Sequence, residues 1–108
     1  MAWISLCELS ELTEGEGKFV EIDGYQLAVF LSEGKAYALD NTCPHAGGPL
    51  SAGTVDHGCA VCPWHDWRFE LATGLLQEAS HISVSAYKTR LLEREGKAAL
   101  VQADLPVP

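Results

Sequence analysis

The sequence predicts an all-β fold: an antiparallel sandwich or barrel-like base carrying a small subdomain inserted at about residues 41–74. Three features predict it. Short runs rich in Val, Ile, Leu, Phe and Tyr are separated by turn pairs such as Asp23-Gly24 and Glu95-Gly96. Several of these runs alternate apolar with polar residues, the period of a half-buried strand. Between Cys43 and His65 that pattern gives way to two loops, each opened by Cys-Pro and each holding a histidine. The 108 residues make one domain, 1–108, able to bury a core but too short for a second catalytic unit.

Taken in order, Met1 to Glu8 reads as a first strand, with Cys7 a small buried apolar residue. Residues 10–14 predict a single helical turn capped by Ser10 and broken by Gly15 to Gly17. Lys18–Ile22 and Tyr25–Leu31 form a hairpin about Asp23-Gly24, and Glu33-Gly34-Lys35 turns the chain into a strand over Ala36–Asp40. In the first loop, Pro44 stiffens the backbone, Gly47 and Gly48 allow close approach, and Leu50 is a candidate apolar cover. Gly53–Val55 and Cys59–Val61 are short strands joined at Asp56-His57-Gly58. Arg68–Leu71 is a strand closed by Ala72-Thr73-Gly74. His81–Thr89 alternates as a half-buried strand, and Leu91–Arg94 with Lys97–Val101 makes a final hairpin before a tail from Leu105. His57 and His81 read as a turn residue and a strand-end residue.

The chemistry lies in Cys43-Pro44-His45 and Cys62-Pro63-Trp64-His65, with the sixteen residues from Ala46 to Val61 between them. Zinc sites favour Cys-x2–4-Cys and His-x3–5-His pairs, and a single residue between Cys and His does not suit them. Cys59-Ala60-Val61-Cys62 has the spacing of a redox dithiol, but the following Pro63-Trp64-His65-Asp66-Trp67-Arg68-Phe69 has no helical pattern. Two thiolates and two imidazoles delivered in mixed pairs suit a [2Fe–2S] cluster with two histidines on one iron.

With CPHAGGPL and CPWHDWRFELATG around these ligands, the chain resembles the Rieske-type [2Fe–2S] domains. The resemblance implies Cys43 and Cys62 on the inner iron and His45 and His65 on the outer, more exposed one. It also implies a one-electron centre with no open site for substrate. Respiratory-complex members carry a membrane anchor and a disulfide between the loops. Here Gly48 and Trp64 occupy the disulfide positions and the fold starts near residue 1, so the expected place is the cytoplasm, with no membrane partner. High-potential members place a serine and a tyrosine where this chain has Trp67 and Phe69. Fewer donors to the cluster predict a potential near or below about −100 mV, at the low end of the Rieske range. The potential is also expected to stay flat through neutral pH and fall only in alkali. A third loop over the cluster usually bears a proline, absent here between Pro63 and Pro106.

The formal charge of −8, from 7 basic and 15 acidic residues, excludes nucleic acid and favours a redox partner with a basic docking face. Three roles are compatible with such a centre. The first is a free carrier between a reductase and a terminal (di)oxygenase, similar to Rieske-type ferredoxins. The second is the small subunit of an NAD(P)H-dependent nitrite reductase, docked on the large subunit. The third is a binding or sensing module. An oxygenase in its own right would need two further histidines and a carboxylate around a mononuclear iron, and only His57 and His81 remain. The chain is not expected to be a catalyst alone.

Overall fold

A computed structural model describes residues 2–44, 47–64, 66–79 and 81–106. Ten strands make three antiparallel sheets, and no α-helix occurs among the described residues. In chain order they are β1 (Ala2–Glu8), β2 (Gly17–Ile22), β3 (Tyr25–Ser32), β4 (Lys35–Asp40), β5 (Thr54–Asp56), β6 (Cys59–Val61), β7 (Arg68–Glu70), β8 (Ala86–Tyr87), β9 (Thr89–Arg94) and β10 (Lys97–Leu105). The sheet orders are β1-β10-β9, β2-β3-β4-β8 and β5-β6-β7.

β3 explains how the layers stack. Its run Leu27-Ala28-Val29-Phe30 is wholly buried, which a strand facing water on one side would not be. Leu27 and Val29 point into cores shared with β10 of the first sheet (Val101, Ala103 and Leu105). Ala28 and Phe30 point the other way, into a core with Leu50, Ala60, Phe69, Cys43 and Cys62. The middle sheet therefore has a sandwich partner on one face and the third sheet's core on the other. Since β4 pairs with β8, the third sheet is inserted in sequence between two neighbouring strands of the middle one.

The expected hairpins form, with Asp23 and Glu33 in the left-handed region that such turns require. Four expectations change. Residues 10–14 are not a helical turn capped by Ser10; a 3-10 turn covers Leu9–Glu11, and the Glu11 carboxylate accepts the Glu8 N–H at 2.7 Å. Glu14 instead bridges to Leu31 and receives the N–H groups of Glu33 and Gly34. His81–Thr89 is not one strand. Ile82 and Val84 bond back to residues 76 and 74, leaving only Ala86–Tyr87 to pair with β4. Lys88 then crosses to the first sheet, so β9 starts at Thr89. Lastly, β10 continues through Leu105 because Ala2 pairs with it, so Leu105 is core rather than tail.

Candidate functional site

The two Cys-Pro loops follow β4 of the middle sheet and β6 of the third, and are closed alike. The Cys43 N–H donates to the Gly48 carbonyl at 2.9 Å, and the Cys62 N–H donates to the Trp67 carbonyl at 2.8 Å. Each bond spans five residues and starts at the cysteine, so each loop presents its thiol from the same position. Gly47 N–H also donates to the Cys43 carbonyl at 2.8 Å. Asp66, at φ 57°, takes the left-handed conformation expected of it, which lets the second loop turn back.

Both thiols are buried, Cys43 at 1% and Cys62 at 0% exposure, in one core with Leu50, Phe69 and Leu76. Burial raises the Cys62 pKa, and the nearby Cys43 thiol raises it further, against a backbone N–H at Trp64 that lowers it. Two such sulfurs, unbridged and in one core at the starts of matching loops, fit an iron–sulfur group. His45 and His65, the other expected ligands, lie outside the described residues.

Three features hold this pair. Asn41, buried at the end of β4, accepts the Ser51 N–H through Oδ1 at 2.8 Å and the Leu50 N–H through its carbonyl at 2.7 Å. These bonds join the start of the first loop to the 3-10 turn Leu50–Ala52, whose Leu50 is fully buried beneath the thiols' core. On the other side, Arg68 of β7 pairs with Asp56 of β5 across β6, and this guanidinium holds the Asp56 carboxyl below its ordinary value. The proline-free segment after Gly74 is also well held. Glu70 N–H donates to Leu75 O, Leu76 N–H to Ile82 O, and Gln77 N–H to Arg68 O, each at 2.9 Å. Backbone bonding does there what a proline would do by fixing φ.

Gly48 has a plain steric reason to be glycine. A Cβ there would stand 3.1 Å from Cys62 Sγ and 3.0 Å from the Trp64 ring. Phe69, fully buried, lines this core without a hydroxyl. Trp64 is half exposed at the loop tip beside Pro63 and Asp66. His57, exposed and hydrogen-bonded to Asp56, is a turn residue as expected. His81 is exposed in a turn. Cys59 is buried in β6 with its pKa raised by desolvation. Asn41 and the Arg68–Asp56 pair escaped sequence reading; only their position at the loop bases pointed to them.

Residues 2–88 match the family model described as Rieske [2Fe-2S] domain. The chain is similar to the ferredoxin component of the naphthalene 1,2-dioxygenase system of Pseudomonas putida, 38% identical over 72 residues, covering 67% of this chain and 69% of that protein. A crystal structure of an NADH-dependent nitrite reductase small subunit from Mycobacterium tuberculosis superposes with a TM-score of 0.83 at 26% identity, covering 98% of this chain and 97% of the other. The ferredoxin fold in a carbazole 1,9a-dioxygenase complex of reduced oxygenase and oxidised ferredoxin gives 0.76 at 27% identity, covering 94% and 91%. By contrast, the match to the sea-urchin cholesterol 7-desaturase of Hemicentrotus pulcherrimus covers only 15% of that protein's length. No helix among the described residues is long and apolar enough to cross a membrane. With paired buried thiols on matching loops and a family match over most of its length, the chain belongs to the Rieske [2Fe-2S] domain family, and its cofactor is one [2Fe–2S] cluster.

Proposed function

We propose that this chain is a cytoplasmic one-electron carrier that takes electrons from a reductase and delivers them to a terminal (di)oxygenase. The observation that carries the reading is the pair of buried thiols, Cys43 and Cys62, held at equivalent points of two equally closed loops. These two would hold the inner iron, and His45 and His65 the outer one, within a subdomain spanning residues 41–74. When bound, the cluster supplies a reversible one-electron couple with no vacant coordination site. The residues around it do the rest. Leu50, Phe69 and Leu76 keep water from the sulfurs, and Gly48 leaves room beside Cys62 Sγ. Half-exposed Trp64 and Asp66 at the loop tip offer a surface on which a partner with basic residues can settle.

A second reading is the small subunit of an NAD(P)H-dependent nitrite reductase, supported by the superposition over nearly the whole chain on such a subunit. In either case catalysis belongs to the partner. Anaerobic reconstitution with iron and sulfide tests the site: the wild type is expected to bind two irons and show a Rieske-type EPR signal on reduction. Cys43→Ser, Cys62→Ser, His45→Ala and His65→Ala should each lose that signal; a coloured, EPR-active Cys62→Ser protein would overturn the ligand assignment. Mixing with a flavoprotein reductase and an aromatic-ring oxygenase separates the roles. A carrier accelerates turnover catalytically as a monomer, whereas a subunit co-elutes with a large reductase polypeptide.

A further inference from the structure

One region of the surface gathers three of the chain's seven basic residues. Lys88 carries the chain from the middle sheet to the first, and two adjoining depressions lie where β4 meets β9, Thr89 Oγ1 donating to the Ala36 carbonyl at 2.7 Å. They share Lys35 and enclose about 210 and 300 Å³. Lys35, Lys88 and Arg90 line them together with Trp3, Tyr37 and Tyr87. Among the described residues no carboxylate lies within ion-pair distance of these three cations, although acids outnumber bases 15 to 7 in the chain. Two acids adjoin the region: Asp40 accepts the Tyr87 hydroxyl at 2.8 Å, and Asp104 lines the next depression past Lys88.

Two of the cations are also held in place. The Arg90 guanidinium lies 4.3 Å over the Trp3 ring, and its Nε donates to Gln102 Oε1 at 2.8 Å. Lys35 Nζ stands 5.4 Å over the Tyr37 ring. Aromatic support of this kind keeps a cation poised while leaving its outer hydrogens free. The depressions lie along the margins of two sheets, β9 being the last strand of its sheet and β8 reaching β4 only at Ala38 and Leu39, and such margins suit an extended strand better than a compact anion. Lys35 is five residues before Asp40 on β4, about 16 Å along the strand, on the side away from the first Cys-Pro loop.

We propose that this groove binds an acidic, extended segment of a partner protein, as a second docking surface that leaves the loop tips free. Such a surface would let the chain stay attached to an assembly while its redox end meets another protein. The inference does not depend on the cluster, and its failure would leave the redox reading untouched.

Hexaglutamate peptide titrated into the 15N-labelled holoprotein tests it, with tripolyphosphate as the compact-anion probe. The peptide is expected to shift the Trp3 indole and the residue 88–91 amides saturably. A Lys35→Glu/Lys88→Glu variant should weaken binding at least tenfold, and Lys35→Arg/Lys88→Arg should keep it. The EPR spectrum of the reduced protein serves as the check that both variants stay intact, since all substituted side chains are exposed. Absence of shifts, unchanged affinity in the Glu variant, or tighter binding of tripolyphosphate at the same residues would each overturn the proposal.

Discussion

At the scale of single residues, two positions carry sharp consequences. Gly48 faces Cys62 Sγ and Trp64 so closely that one methyl must push something aside. Trp64 is half exposed and can move; the buried sulfur cannot. Gly48→Ala is therefore expected to leave the fold intact and to loosen the cluster, with iron lost to a chelator about tenfold faster. The rate of bleaching under a fixed chelator concentration measures it. Cys7 is a different case. Its thiol is buried between the first two sheets, chiefly desolvation pushes its pKa up to about 11 from an ordinary 9.0, and it takes no part in the site. A raised thiol pKa means the folded state keeps a proton that the unfolded chain gives up. Stability is thus whole below pH 9 and falls as pH rises toward 11, by roughly 2 kcal/mol from this group. Denaturant midpoints of wild type and Cys7→Ala between pH 8 and 11 check the sign. The variant starts lower from lost packing but shows the shallower alkaline decline. Tyr87, pushed up to about 12 by burial and its bond to Asp40, adds a later decline to both proteins.

At the scale of elements, the site depends on how strands end. Asn41 closes β4 and ties it to the 3-10 turn carrying Leu50. Asn41→Ala would leave the Ser51 N–H without its acceptor, at a cost of about 1–3 kcal/mol. Chemical denaturation should show that loss together with weaker cluster retention, because the same bond anchors the first loop. Gly53 tests packing at the end of that turn. A Cβ there would stand 1.9 Å from the Val61 carbonyl, a backbone atom that cannot rotate away. Gly53→Ala is expected to destabilise by roughly 3 kcal/mol, enough to lower yield at 37 °C. β1 shows why alternation is an imperfect guide. A register shift between Ser5 and Cys7 turns two successive residues, Leu6 and Cys7, toward the core. The alternation of β1 therefore runs from Ala2 through Leu6 and breaks at Cys7.

At the scale of the whole molecule, charge and donor count set the redox behaviour. Phe69 sits fully buried in the core around the thiols and offers no hydroxyl. With that position empty of a donor and a chain charge of −8, the midpoint potential is expected near or below about −100 mV. A redox titration at pH 7 followed by EPR checks it, and a value above about +100 mV would contradict the reading. Electron delivery to a basic partner should slow as ionic strength rises, since steering between opposite charges is screened over about 10 Å at 0.1 M salt. Stopped-flow rates across a salt series would show this.

How much was legible beforehand follows from range. Ligand spacing and turn pairs are local facts, so the all-β class, the hairpins and the two thiols could be read from residues alone. The left-handed turn at Asp66 was equally local, being a property of one backbone. What only the folded chain decided was non-local. The His81–Thr89 run alternates like one strand, yet residues 82–84 pair with the segment from Gly74 to Ala79 instead. Leu105 became core because Ala2 reached it from the opposite terminus. The meeting of the two thiols in one core and the gathering of Lys35 with Lys88 and Arg90 likewise join residues far apart in sequence. Short-range chemistry is written in neighbouring residues; satisfaction of buried backbone and the meeting of distant strands are settled only by packing.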